Sequence, residues 1–299
     1  MIGGNVPQHL VVGARTGFLA ALPTFKMDYQ RIAMVVPMNT KDLTLTDLGA
    51  SPMPTEDKGR TVSQDYIERS LEMHAKDYSV TVDISQNAID DDQTGDLNRK
   101  VRSAGERFKQ WVNNQCFKAL NDGDATTNYG ACYDGNAFYS ASHVDKGADY
   151  QTAQDNVSAL ALTIDNFETV RVASKLFVDD RGEEVDHNYN LLVVPPNYER
   201  LAGQICRNPR AYDTANAEIN TYQGVTDYIV SPKLDSTAWI LVAGGESTKP
   251  IIIGQRRAPS LLHAWFEPDG PEGGLYKFKF YARYAFGYGD WRLAHMGHS

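Results

Sequence analysis

The residues of this chain that could do chemistry are seven histidines, three cysteines and several carboxylate clusters, and their spacing limits what that chemistry could be. Ser140-Ala141-Ser142-His143 sets two hydroxyls beside an imidazole, the parts of a nucleophile and its base. A hydrolase using Ser140 or Ser142 with His143 is one reading. Against it, triad members meet in space from distant loops, and the chain has no nucleophile-elbow pattern. Asp90-x-Asp92-x-Thr94-Gly95 imitates the opening of an EF-hand loop, but its fifth position is Thr94 and its twelfth is Val101, where a bidentate Glu is required. No Gly-Lys dipeptide occurs, which excludes a Walker A phosphate loop. Gly287-x-Gly289 lacks the third glycine and the following helix of a dinucleotide site. The histidines show no H-E-x-x-H spacing, and His295 and His298 fall in a terminal tail expected to fray. Asp179, Asp180, Glu183 and Glu184 around Arg181-Gly182 read as a solvated turn. Cys116, Cys132 and Cys206 are odd in number with no C-x-x-C, as expected of reduced, partly buried thiols. The expectation is a chain with no catalytic residue, no cofactor and no metal site.

The elements that carry these residues must fit a chain of 299 residues, near the ceiling for one hydrophobic core, so two packed units or one core with excursions is expected. A net charge of −9 argues against coating nucleic acid through a basic face, since phosphate binding needs clustered Lys and Arg. The longest uncharged apolar run, around Trp239 to Ala243, is far short of a membrane span. Arg15 interrupts the apolar N-terminal stretch, which makes a poor signal peptide. A soluble, intracellular protein without membrane contact is expected.

Along the chain, Ala14 to Leu22 and Lys26 to Val36 read as short helices punctuated by Pro7, Pro23 and Pro37. Residues 39–77 are rich in charge, Pro and Gly, with short apolar beats (Leu43, Leu45, Leu48; Tyr66, Ile67, Leu71) and no sustained period. A connection this long without its own core is usually functional, and an extended hairpin packing on a neighbouring molecule fits it. Tyr78 to Ile84 alternates strictly, as a half-buried strand does. Leu97, Val101, Ala104, Phe108, Trp111, Cys116 and Ala119 form one stripe of a long helix over about Gly95 to Leu120, with Asp90 to Asp92 and Asp96 at its positive end. Ile164 to Phe177 is a helix capped by Thr163, Leu191 to Val194 a buried strand, and Asn197 to Cys206 a helix. Strands follow at Asp227–Val230, Trp239–Val242, Ile251–Ile253 and Tyr276–Phe286.

In order and motif the chain resembles the Mu-type major head subunit family of tailed bacteriophages, which has the Hong Kong 97-type capsid fold. The likeness is carried by Ala33 to Pro37 and by Ile89-Asp90-Asp91-Asp92-x-x-Gly95 ahead of the long helix. Its most specific segment is Cys132-Tyr133-Asp134-Gly135-x-x-Phe138-Tyr139-Ser140-x-x-His143. Leu191-Leu192-Val193-Val194-Pro195-Pro196-x-Tyr198-Glu199-x-x-Ala202, Trp239 and Pro250-Ile251-Ile252 come next, and Ala282 to Trp291 closes the series.

The resemblance implies an α+β fold with an N-terminal arm (1–38), an extended loop over a neighbour (39–82), a peripheral domain around a spine helix (83–155 with 246–299, spine about 95–120) and an axial domain (156–245). It implies a major capsid protein that self-assembles as pentamers and hexamers into the icosahedral shell of a virion, built in the host bacterial cytoplasm. The shell would enclose double-stranded DNA without sequence-specific binding. Implied partners are a portal and a decoration protein. Because the arm starts close to Met1, scaffolding protein and head protease are expected to be separate chains. Leu43, Leu45, Leu48, Lys58, Arg60, Ile67 and Arg69 are the expected intersubunit contacts. An encapsulin-like nanocompartment shell storing an enzyme cargo is the rival reading within the same fold.

Overall fold

A computed structural model describes residues 6–23, 27–45, 70–91, 95–126, 129–144, 152–210, 219–268 and 273–298. The first helix, α1 (Gln8–Ala21), buries Leu10, Ala14, Phe18 and Ala21, one residue per turn. A 3-10 turn (Asp28–Arg31) leads into strand β1 (Ala33–Pro37). The helix expected over Lys26 to Val36 is therefore wrong. β1 runs parallel to a distant strand, Ala33 against Ile251 through Pro37 against Gln255, and the β-branched Val35-Val36 suits that ladder better than a helix.

Strands β2 (Asp42–Leu45) and β3 (Leu71–His74) pair antiparallel, with Leu43 opposite Met73 and Leu45 opposite Leu71. β4 (Lys76–Ser85) follows and contains the strand expected from Tyr78 to Ile84. The Ser85 hydroxyl caps the short α2 (Gln86–Asp90) by accepting from the Ala88 amide at 3.3 Å. Asp90 thus closes α2, a turn earlier than the helix it was expected to lead. The chain enters α3 (Asp96–Asn121) through Gly95 at φ 72°, a left-handed angle that favours glycine. At about 1.5 Å per residue, α3 is roughly 39 Å long.

Beyond it come β5 (Val157–Ser158) and α4 (Ile164–Lys175), whose Thr163 cap accepts from the Asn166 amide as expected. Then follow β6 (Leu191–Val194), a 3-10 turn (Pro196–Tyr198) running into α5 (Glu199–Cys206), β7 (Asp227–Val230) and β8 (Ala238–Val242). The chain closes with β9 (Ile251–Glu267), β10 (Leu275–Tyr288), a 3-10 turn (Trp291–Leu293) and β11 (Ala294–His298). Among the described residues no helix is long and apolar enough to cross a membrane.

Besides the two-stranded β2–β3 ribbon, these elements make two larger sheets. In the first, ordered β1-β9-β10-β4, the long β9–β10 hairpin forms the centre, and α1 and α3 pack across it. Phe18 of α1 stacks on Phe280 of β10 at 3.9 Å and meets Phe108 of α3 edge-on at 6.3 Å. Gly105 makes this layer possible: a Cβ there would lie 2.9 Å from the Phe18 carbonyl oxygen. The second sheet, ordered β5-β11-β8-β6-β7, has β6 and β8 buried along their whole length. Its second strand is the C-terminal one. The tail expected to fray is instead a strand held between β5 and β8. His295 within it is buried between the hydroxyls of Ser158 (3.2 Å) and Ser174 (3.1 Å). The stretch after 246 therefore serves both sheets, with Ala294–His298 joining the one built from residues 157–242.

Candidate functional site

The most specific sequence segment, 132–143, folds into a buried polar junction between the two sheets. The His143 ring is 2% exposed and lies parallel to Trp291 at 4.1 Å. Its Nδ1 is 2.6 Å from Asp134 Oδ2 and its Nε2 is 3.1 Å from Asn156 Oδ1. Both ring nitrogens are engaged, so neither is left to take a proton from Ser140 or Ser142. Ser140 Oγ accepts from the Ser142 amide instead. The nucleophile–base arrangement imagined for this segment is not assembled.

Asp134 is held on the other side by Asn136, whose amide and side chain donate at 3.0 and 3.1 Å. Burial pushes the Asp134 carboxyl up, but the hydrogen bonds from His143 and Asn136 outweigh it and hold the group below the usual carboxylate range. Asn156 is completely buried. Its Nδ2 donates to the carbonyls of Phe138 (2.8 Å), Trp291 (3.2 Å) and Ala294 (3.2 Å), and its Oδ1 also accepts from the Ser140 amide. One side chain thus ties the loop after α3 to the 3-10 turn that follows β10 and to the start of β11.

Arg292 forms the second half of the junction. Its guanidinium donates to Asp180 at 2.8 Å, to the Val178 carbonyl at 2.9 Å and to the Tyr133 hydroxyl at 2.6 Å, with Asp290 at 3.4 Å. Burial alone would lower its proton affinity, but Asp290, Tyr133 and Asp180 raise it above the ordinary value, so the group stays charged. The acidic turn is accordingly not wholly solvated. Asp180 is 2% exposed and faces inward, while Asp179 accepts the amides of Arg181 and Glu183. Asn156 and Arg292 were missed by the sequence reading, and Asp180 was read as a solvated residue though it is buried. A lone arginine between Trp291 and Leu293 in an apolar terminus was the available sign, because such a charge must be paired. The three thiols are free and buried, as expected.

The second notable surface is the β2–β3 hairpin. Leu43 and Leu45 are half-buried on a small cluster of Met38, Leu71, Met73, Ala75, Ile252 and Ala285 from their own chain. Leu48, Lys58, Arg60, Ile67 and Arg69 lie outside the described residues, as do Asp92 and Thr94 of the EF-hand-like run. Val101, at the twelfth position of that run, is fully buried in the core and cannot ligate. Exposed apolar side chains also recur on the surface. Val172 on α4 and Leu176 at its C-cap are 53% and 60% exposed, and Val12 and Leu19 project from α1.

The family model described as phage capsid protein matches residues 70–294, three quarters of the chain, and runs through both sheets and the junction. The chain belongs to the phage capsid protein family. A curated relative, the major capsid protein of Escherichia phage Mu, is 28% identical over 134 residues. That match spans 45% of this chain and 43% of the relative, less than half the relative's length. Among solved structures, the chain is similar to the procapsid of bacteriophage JBD30, with a TM-score of 0.57 at 20% identity, covering 98% of this chain and 74% of that one. The capsid of the native GTA particle superposes with a TM-score of 0.55 at 12% identity, covering 100% and 92%. At such identities these likenesses establish the capsid fold, with its mixture of helices and sheets, and the family match agrees with the resemblance drawn from the residues.

Proposed function

We propose that this chain is a major capsid protein that self-assembles, as pentamers and hexamers, into the icosahedral head shell of a tailed bacteriophage and so becomes part of the virion. The observation that carries the reading is a single capsid-family match running from β3 through both sheets. The exposed apolar pairs on α1 and α4 support it, since repeated copies around rotation axes need heterologous, sticky faces. In this reading residues 1–38 are the arm, 39–82 the loop that reaches a neighbour, 83–155 with 246–293 the peripheral unit around α3, and 156–245 with 294–298 the axial unit. Leu43, Leu45, Leu48, Lys58, Arg60, Ile67 and Arg69 serve intersubunit contact, with Leu43 and Leu45 seating the base of the hairpin on its own subunit. Scaffolding protein, head protease, portal, decoration protein and packaged double-stranded DNA are the partners, and assembly takes place in the bacterial cytoplasm. The role is structural, with no catalytic step.

The encapsulin-like alternative is not favoured, because the family model and the curated relative are both phage capsid proteins. Electron microscopy of the purified protein tests the reading. Closed particles are expected from the full chain, and none from a variant with residues 46–69 replaced by a short Gly/Ser bridge. Regular shells from that variant would refute the role given to the excursion.

A further inference from the structure

We propose that Asp42, Glu72 and His74 bind one divalent transition-metal ion of the zinc type, which staples the base of the β2–β3 hairpin. The antiparallel register places Asp42 directly opposite His74, and Glu72 lies two residues along β3 from His74, so all three project from one face. That face is exposed, while Leu43, Leu45, Leu71 and Met73 occupy the other. One ligand atom from each of the three lies within 4.8 Å of the others, and Asp42 Oδ1 is 2.6 Å from His74 Nδ1. Among the described residues this is the one group of three such side chains brought so close. Sequence spacing conceals it, because 32 residues separate Asp42 from His74.

The donor set indicates the ion. With Zn–N and Zn–O bonds of about 2.0–2.2 Å, neighbouring tetrahedral ligands stand roughly 3.3 Å apart. Asp42 and His74 must therefore part by roughly 0.7 Å around an ion, a small rotation for two solvent-exposed side chains. One imidazole and two carboxylates leave at least one position to water and suit Zn²⁺ or its neighbours. Ca²⁺, which takes six to eight oxygens, is poorly served. A staple has work to do here. Each strand of the ribbon is four residues long, and an isolated two-stranded hairpin is marginal in water. Its support is one apolar face, and the proposed ion would join the strands at the end nearest the body of the protein. Metal binding by the subunit is separate from the shell reading and can fail without it.

Zinc sulfate titrated into the purified full-length chain, by calorimetry and by competition with a chelator, tests the proposal. One ion per chain is expected, and Asp42→Asn, Glu72→Gln and His74→Gln should each weaken binding at least about tenfold. At zinc one hundred times its dissociation constant, amide exchange in Leu43 and Leu71 to Met73 should slow by up to about a hundredfold, and only in the unsubstituted chain. All three side chains are exposed, so the variants keep their melting temperature without zinc. Unchanged zinc affinity in the three variants, Ca²⁺ binding as tightly as zinc, or no binding at all would each overturn it.

Discussion

Replacing His143 by alanine separates a structural from a chemical role for the most specific segment of the chain. The imidazole is enclosed, bonded at 2.6 Å to an Asp134 side chain with no exposed surface and stacked on Trp291. Removing it leaves a buried carboxylate without its main partner, a loss of about 3–5 kcal/mol for a broken buried pair. The lost ring contact with Trp291 lies within that range rather than on top of it, at about 0.5–1.5 kcal/mol. Asp134 keeps its two bonds from Asn136, which places the expected value towards the lower end. At about 1.4 kcal/mol per decade, 3 kcal/mol is a fall of roughly a hundredfold in the folding constant of the free subunit. Urea unfolding followed by tryptophan fluorescence reads it, because Trp291 lies against the missing ring. His143→Ala should also leave hydrolysis of a panel of simple esters at the buffer rate in both proteins. A stability change below about 0.5 kcal/mol, or loss of an ester-cleaving activity present in the unsubstituted chain, would refute the reasoning.

Four further outcomes follow from the same structure. Burial lowers the His295 pKa to about 4, against an unfolded value near 6.5. The unfolded state therefore binds a proton that the folded state refuses, and stability falls as pH drops from about 6.5 to about 4, by roughly 3 kcal/mol at 1.36 kcal/mol per unit. Urea midpoints between pH 7 and 4 should show this slope, and it should flatten in His295→Gln. Asp134, held low in the folded state, acts at the acid end: its contribution is full above its unfolded pKa of about 3.9 and disappears as pH falls through the lower folded value. Gly105→Val places a branched side chain where even a Cβ is 2.9 Å from the Phe18 carbonyl, and should cost about 1–3 kcal/mol with α1 lifted from α3, seen as faster amide exchange in α1. Val172→Asp with Leu176→Asp touches two exposed positions, so the melting temperature should hold while particle yield in micrographs drops.

Much of the architecture could be read from local pattern because local forces set it. The apolar stripe of α3, the Thr163 cap, the alternation of β4 and β10 and the fully apolar β6 each express a period or an end signal within a few residues. Strand β9 was visible only at Ile251 to Ile253, because beyond that its residues are half-exposed and it contains Pro259. The strand continues because β10 supplies its partners, and an irregular register between Tyr281 and Arg283 accommodates the proline. β1 likewise depends on a ladder to residues more than two hundred positions away.

The sequence by itself determined the long helix, the capped helix after Thr163, the alternating and fully apolar strands and, through 132–143 and the terminal segment, the family. Those properties lie in residue types and short spacings. Tertiary structure alone decided that His295 is a buried strand residue, that Asp180 pairs with Arg292, that Asn156 joins three segments and that Asp42, Glu72 and His74 meet on one face. Each of these rests on hydrogen bonds or close approaches between residues far apart in the chain, and a buried polar group takes whichever partner the fold brings to it.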